Sequence, residues 1–123
     1  MKKNILVIED EHNLRNLYIE ELCEDGYRCY GACNGQEALG LIAQHNFDLI
    51  MVDIKLPDIS GIELLQRLKS FRGKIPIFIV TAFGQLKNHF AFTDADEFIT
   101  KSSDLAELKA KISKYLKKET PTV

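Results

Sequence analysis

Short apolar runs recur along the chain, and polar residues bound each of them. They lie at residues 5–8, 49–52, 77–80 and 98–99, and residues 27–31 form a weaker candidate of the same kind. Runs without polar alternation are typical of parallel strands that are covered on both faces, although periodicity alone also allows a buried helix. We predict strands at these positions.

Between the runs, the apolar residues change to a helical spacing. Four groups recur at intervals of three and four with charged residues opposite: Leu14, Leu17, Tyr18 and Leu22; Ala38, Leu41 and Ile42; Leu64, Leu65 and Leu68; and Leu105, Leu108, Ile112 and Tyr115. This spacing predicts four amphipathic helices. The segment 85–93 has sparse apolar positions and is short for a crossover helix.

Three of the helix starts carry a capping residue three positions before an acid. The pairs are Asn34 with Glu37, Ser60 with Glu63, and Asp104 with Glu107. Such pairs satisfy the backbone N–H groups that a helix leaves free in its first turn. Strand and helix therefore alternate, which predicts an α/β fold: an open parallel sheet with helices on both faces and right-handed crossovers.

The composition fits one domain of an ordinary kind. Of 123 residues, 46% are hydrophobic and 28% are charged, and the formal net charge is -2. Because this charge gives no general attraction to phosphates or anionic lipid, we expect no direct nucleic-acid binding. No apolar run reaches membrane-spanning length, and the three cysteines do not form a paired zinc pattern. We expect a cytoplasmic protein with free thiols and no membrane contact.

Polar residues follow the predicted strands at the point where each strand ends. Glu9 and Asp10 follow the first strand, Asp53 the third, Thr81 the fourth and Lys101 the fifth. In an open α/β sheet, ligands bind outside the carboxyl ends of the strands, near the point where the strand order reverses. We therefore expect these three acids, one hydroxyl and one amine to share a site.

These residue types together suit phosphoryl transfer. Three carboxylates repel one another unless a divalent cation lies among them, and hard oxygen ligands in an incomplete cage favour Mg²⁺. Asp53 can attack phosphorus to give an acyl phosphate, Thr81 offers a donor to a phosphoryl oxygen, and Lys101 supplies a mobile charge. The plainer alternatives are that residues 9–11 cap the following helix and that Asp53 forms a turn.

The chain resembles the receiver domain of two-component response regulators over essentially its whole length. The matching features, in order, are Ile-Glu-Asp-Glu at 8–11, Asp53 followed by Leu56-Pro57 and Gly61, Val-Thr-Ala at 80–82, and Phe98 shortly before Lys101. The resemblance implies a flavodoxin-like, doubly wound five-stranded sheet in the order 2-1-3-4-5 with five helices. The receiver domain would span residues 1–118, followed by a polar tail at 119–123.

The resemblance also implies roles for these residues. Asp53 would accept a phosphoryl group from a phosphohistidine of a sensor kinase or phosphotransfer protein. Glu9, Asp10, Asp53 and the carbonyl of Lys55 would hold Mg²⁺, and Thr81 and Lys101 would engage the phosphoryl oxygens. Thr81 and Phe98 would then switch the face built from the fourth and fifth helices. Phe98 is equally well explained as a core aromatic.

Two features depart from the family pattern. Ser102 follows Lys101, where the family usually has a proline in a cis bond, and a cis bond at a non-proline residue costs about 3 kcal/mol. The segment between Thr81 and Lys101 is shortened, with Asp-Ala-Asp at 94–96 where a Gly-Ala turn is frequent. Both departures bear on the fourth helix and on how Lys101 is aimed.

Three functions are compatible with these observations. The first is a stand-alone receiver that signals to a separate effector protein or relays phosphate to another histidine. The second is a degenerate receiver that binds partners without phosphorylation. The third is a haloacid-dehalogenase-like phosphatase, but such enzymes carry an acid two positions after the nucleophile, where this chain has Lys55, so we expect no efficient turnover.

Overall fold

The structure, a computed structural model, describes residues 2–72, 75–82, 95–101 and 104–116, and these contain five strands and four helices. The strands are β1 (Asn4–Ile8), β2 (Arg28–Ala32), β3 (Leu49–Val52), β4 (Ile77–Thr81) and β5 (Glu97–Thr100). The helices are α1 (His12–Glu24), α2 (Gly35–Gln44), α3 (Gly61–Arg72) and α4 (Ala106–Tyr115). Helix α4 is the last of the four helices predicted from the apolar spacing, and it corresponds to the fifth helix that the resemblance implies. The doubtful segment 85–93 lies outside the described residues.

The five strands form one parallel sheet in the order β2-β1-β3-β4-β5, which confirms the predicted fold. The weaker candidate at 27–31 is β2, shifted by one residue. The strand order reverses between β2 and β3, which both pair with β1. The carboxyl ends of β1 and β3 therefore lie side by side at the reversal point, where α/β sheets bind ligands.

Both faces of the sheet are covered, so the strands have no polar alternation. In β1, Leu6 and Ile8 pack on one side with residues of α2 and α3, whereas Ile5 and Val7 pack on the other side with residues of α1 and α4. All four side chains are buried. Burial on both faces is the physical reason that these strands appear in the sequence as continuous apolar runs.

The predicted helix caps are confirmed at two of three positions. The Asn34 side chain accepts a hydrogen bond from the Glu37 N–H at 2.7 Å, and Ser60 Oγ accepts one from the Glu63 N–H at 3.1 Å. At the third position, Asp104 Oδ1 accepts from the Ala106 N–H at 2.9 Å, one residue before the predicted donor, and α4 begins at Ala106.

Two further findings concern the composition. Cys23, Cys29 and Cys33 are free thiols. Among the described helices, none has the length and apolar character needed to cross a membrane. Ser102, which stands where the family usually has a proline, and the predicted polar tail at 119–123 lie outside the described part of the chain.

Candidate functional site

The polar residues predicted to converge do meet at the carboxyl edge of the sheet. Glu9 follows β1, Asp53 follows β3, Thr81 ends β4 and Lys101 follows β5. The first three are buried, with exposed fractions of 2% for Glu9, 6% for Asp53 and 0% for Thr81. The Lys101 N–H donates to the Thr81 carbonyl at 2.6 Å, which extends the pairing of β5 with β4 up to the site.

The Lys101 ammonium joins the two buried carboxylates. Its Nζ lies 2.8 Å from Glu9 Oε1 and 2.9 Å from Asp53 Oδ2. Charge-assisted contacts of this length are the strong kind, and they offset part of the penalty of removing two carboxylates from water. One lysine therefore neutralises part of the charge that Asp53 would otherwise present to an incoming anion.

The pKa values of these groups show which effect dominates. Burial raises the pKa of Glu9 above its usual range, and the hydrogen bonds from Lys101 and from the Glu11 N–H only partly oppose this. Burial alone would lower the pKa of Lys101, but its hydrogen bonds to Glu9 and Asp53 outweigh that effect and raise it to about 12. Lys101 is therefore a permanent cation at neutral pH.

Backbone groups hold the remaining carboxylate oxygens. The Glu11 N–H donates to Glu9 Oε2 at 3.2 Å, and the Lys55 N–H donates to Asp53 Oδ1 at 3.3 Å. The Arg15 guanidinium donates to the Glu9 carbonyl at 2.9 Å. This contact of Arg15 was not predicted, because nothing in its spacing distinguishes it from a solvent-exposed arginine on the polar face of a helix.

The three acids form a group that suits a divalent cation. One carboxylate oxygen from each of Glu9, Asp10 and Asp53 lies within 4.8 Å of the others. Asp10 is exposed whereas the other two are buried, so the group opens toward solvent. An incomplete set of hard oxygen donors is what Mg²⁺ binds in proteins while it keeps several waters. The donor set therefore fits the predicted metal.

The alternative interpretation of residues 9–11 as a helix cap finds little support. Glu11 is the N-cap residue of α1, but its side chain makes no capping hydrogen bond. The side chain of Glu9 is turned toward Asp53 and Lys101, apart from its bond to the Glu11 N–H. The buried carboxylate of Glu9 thus belongs to the site.

The loop after Asp53 is fixed at two points. The Gly61 N–H donates to the Ile54 carbonyl at 2.9 Å, and Asp58 accepts from the Gly35 and Gln36 N–H groups at 2.9 Å each. The bonds to Gly35 and Gln36 hold the pKa of the Asp58 carboxyl below its usual range. This exposed acid caps α2 across the sheet edge, a role that the sequence analysis did not anticipate.

The structure shows where Phe98 and Lys55 lie, but their positions do not test the roles predicted for them. Phe98, on β5, is half-buried and packs against the core on the side of α2 and α3, in register with Ile79 of β4. The Lys55 side chain is exposed. The predictions that Phe98 switches and that the Lys55 carbonyl binds a metal stay predictions.

The family model and the curated relatives that match this chain indicate the same protein family. The model of the response regulator receiver domain matches residues 5–113. Sporulation initiation phosphotransferase F of Bacillus subtilis is 32% identical over 118 residues, which cover 94% of this chain and 95% of that protein. Response regulator ArlR of Staphylococcus aureus is 34% identical over 94% of this chain, but the chain spans only 53% of ArlR.

Solved structures agree with the sequence matches. The response regulator TrrA of Thermotoga maritima, in complex with Mg²⁺ and BeF, has a TM-score of 0.87 and 39% identity, covering 92% of this chain and 98% of TrrA. The structure of TrrA in complex with the histidine kinase ThkA gives a TM-score of 0.82 and 39% identity. The match covers 93% of this chain and 98% of the solved chain.

Proposed function

The chain belongs to the response regulator receiver domain family, and from that premise we propose that Asp53 accepts a phosphoryl group from a phosphohistidine. The observation that carries the proposal is the buried Asp53 carboxylate in contact with Lys101 and beside Glu9 and Asp10. The donor is a sensor kinase or a histidine phosphotransfer protein. The complex of the similar TrrA with a histidine kinase supports this class of partner.

The chemistry is a displacement at phosphorus. An oxygen of Asp53 forms the new P–O bond as the P–N bond to the donor imidazole breaks, and the imidazole leaves with the electron pair. Lys101 balances the negative charge of the phosphoryl oxygens, and the Thr81 hydroxyl donates to one of them. Glu9, Asp10, Asp53 and the Lys55 carbonyl would hold Mg²⁺, which would supply further neutralisation of the phosphoryl charge.

Phosphorylation then changes a protein-binding surface through Thr81 and Phe98. The signal passes to a separate effector protein, or the phosphoryl group passes to another histidine. Similarity over 95% of a sporulation phosphotransferase supports the second route. The protein acts in the cytoplasm as a phosphoacceptor rather than as an enzyme that turns over, because position 55 is a lysine and supplies no general acid.

The test is phosphorylation by a small donor. The protein is incubated with acetyl phosphate and Mg²⁺, and its intact mass is measured. Wild-type protein should gain one phosphoryl group, whereas Asp53→Asn should stay at background, since an amide is a poor nucleophile. The matched control is Asp25→Asn, at the far end of α1, which should label like wild type. Equal labelling of Asp53→Asn and wild type would refute the assignment of Asp53.

Phosphotransfer from kinases is tested separately. Wild-type protein is mixed with a panel of phosphorylated histidine kinases and phosphotransfer domains, and loss of label from each donor is followed over time. A rapid, Mg²⁺-dependent transfer that Asp53→Asn abolishes is the expected result. Partner binding that is unchanged by Asp53→Asn and by beryllium fluoride would instead favour a receiver that works without phosphorylation.

A further inference from the structure

Tyr18 is a buried polar residue that the proposed chemistry does not use. It lies in α1, with 2% of its surface exposed, and its hydroxyl makes no hydrogen bond to any residue that the structure describes. Side chains on a helix lean toward its N-terminus, and α1 begins at His12, directly after the acids of the site. The ring therefore leans toward the site.

Two very small cavities meet at this side chain, of which the larger has room for about one water molecule and the other has none. One is lined by Tyr18 together with Glu9 and Asp53. The other is lined by Tyr18 together with Lys101 and Glu107. Tyr18 is thus a polar side chain that borders both the carboxylates and the lysine, and Val80, which also borders both cavities, is apolar.

The positions of the charges create a conflict that a nearby acceptor would resolve. Lys101 Nζ contacts Glu9 and Asp53, which are also two of the three acids in the proposed cation site. Because two cations at contact distance from the same oxygen repel, a metal ion bound to Glu9 Oε1 would displace Lys101 from that oxygen. The half-buried ammonium, which still contacts Asp53, would then gain from a second acceptor.

We propose that the Tyr18 hydroxyl is this acceptor, so that Tyr18 is a positioning residue that holds the Lys101 ammonium beside Asp53 once it has left Glu9. The inference rests on the proposed function, since it assumes a cation among the three acids. A lysine ammonium has three donors, and a neutral phenol oxygen can accept one of them. Burial raises the pKa of Tyr18 to about 12, so the phenol is neutral under ordinary conditions.

Other acceptors line the same cavity and provide the comparison. Asp104 is partly engaged, because its Oδ1 accepts from the Ala106 N–H. Glu107 is exposed, so a salt bridge to it would be weakened by solvent. Among the acceptors that line this cavity, Tyr18 is the one whose side chain also borders the carboxylates and whose residue is buried.

The experiment measures Mg²⁺ affinity by isothermal titration calorimetry, without any phosphoryl donor. Tyr18→Phe should raise the Kd for Mg²⁺ about tenfold, because displaced Lys101 loses a hydrogen bond. Tyr27→Phe, a buried tyrosine outside the site, is the matched control and should leave the Kd unchanged. In a Lys101→Ala background, Tyr18→Phe should have no effect on the Kd.

A second measurement uses wild-type protein, so that the inference does not depend on the folding of Tyr18→Phe. With ¹³C-labelled tyrosine, the ring signal of Tyr18 should shift on addition of Mg²⁺, while that of Tyr27 should not. The Tyr18 shift should be absent in Lys101→Ala, since no ammonium then moves to the phenol.

The outcomes separate this inference from the proposed function. No Mg²⁺ binding by wild-type protein would overturn both. Normal binding with the same Kd in Tyr18→Phe, or a Tyr18 signal that does not move, would overturn the role of Tyr18 alone. A Kd change that persists in the Lys101→Ala background would show that Tyr18 acts through packing, and would also overturn it.

Discussion

Two carboxylates that each contact a lysine behave in opposite ways in this protein. Burial raises the pKa of Glu9 even though Lys101 lies 2.8 Å away. The hydrogen bond from Lys111 at 2.7 Å lowers the pKa of Glu97, and the Tyr115 hydroxyl adds a bond at 2.8 Å. The ionised Glu97 therefore stabilises the fold, whereas the ionised Glu9 opposes folding. Glu9 is the residue at the functional site.

The contribution of Glu97 should depend on pH. Its pKa is lower in the folded protein than the usual 4.5, so its stabilising effect is present above 4.5 and is lost as the pH falls through the folded value. We expect Glu97→Gln to lower the free energy of unfolding by about 1 kcal/mol at pH 7. Urea unfolding should show this loss shrinking as the pH is lowered below 4.5.

The matched control for Glu97 is Glu63→Gln. Glu63 forms a salt bridge with Arg67 one helical turn away, at 3.0 Å, but both side chains are more than half exposed. Such pairs contribute about 0.5 kcal/mol or less. A loss at Glu63 as large as that at Glu97, or a loss at Glu97 that does not change with pH, would contradict the assigned role of Glu97.

At the scale of elements, the connection from β3 to α3 controls how Asp53 is presented. Gly61 opens α3 so close to this connection that a Cβ on it would lie 2.7 Å from the Ile54 Cα and 3.1 Å from the Asp53 carbonyl oxygen. Both contacts are with backbone atoms, which cannot turn away as a flexible side chain can. The helix and the residue after β3 are thus packed backbone against backbone.

We expect Gly61→Ala to destabilise the protein by about 2 kcal/mol, because the new methyl group must push α3 away from β3. It should also slow acetyl phosphate labelling, since Asp53 would move. Gly40→Ala is the control: this exposed position inside α2 has nothing within 4 Å of an added Cβ. Alanine there should stabilise by about 0.5–1 kcal/mol. Thermal unfolding of both variants measures these changes, and an opposite order would contradict the packing argument.

At the scale of the whole molecule, two cores share one sheet. Each strand contributes alternate side chains to the core under α2 and α3 and to the core under α1 and α4. Ile42 of α2 and Ile112 of α4 are both fully buried, one in each core. Loss of either core would leave an apolar sheet face in water, so the two cores should unfold together.

We expect Ile42→Ala and Ile112→Ala each to destabilise the protein by about 2–5 kcal/mol. The buried tyrosines Tyr18 and Tyr27 both lie in the core that contains Ile112. Tyr30 packs against the core that contains Ile42, so the test uses a Tyr30→Phe background. In Ile42→Ala made in that background, the tyrosine near-ultraviolet signal should nevertheless be lost at the same urea concentration as the far-ultraviolet signal. Separate transitions for the two signals would contradict a shared sheet.

The sequence by itself determined the fold class and the residue types at the sheet edge. Periodicity is a local property, and doubly covered strands must be apolar throughout, so β1, β3 and β4 could be recognised directly. The caps at Asn34 and Ser60 are equally local. The start of α4 could not be predicted, because Asp104 can bond to either of two nearby N–H groups with similar ease.

Only the tertiary structure decided which polar groups touch. Lys101 and Asp53 are 48 residues apart, and Asp58 contacts Gly35 over a separation of 23 residues. The strand ends predicted that Lys101 and Asp53 share a site but not that they touch, and nothing in the sequence predicted the contact of Asp58. Tyr18 could be assigned to an apolar stripe, but its position beside the carboxylates and Lys101 depends on how α1 packs on the sheet. Local patterns fix which elements form, whereas the contacts of a site depend on how distant elements pack together.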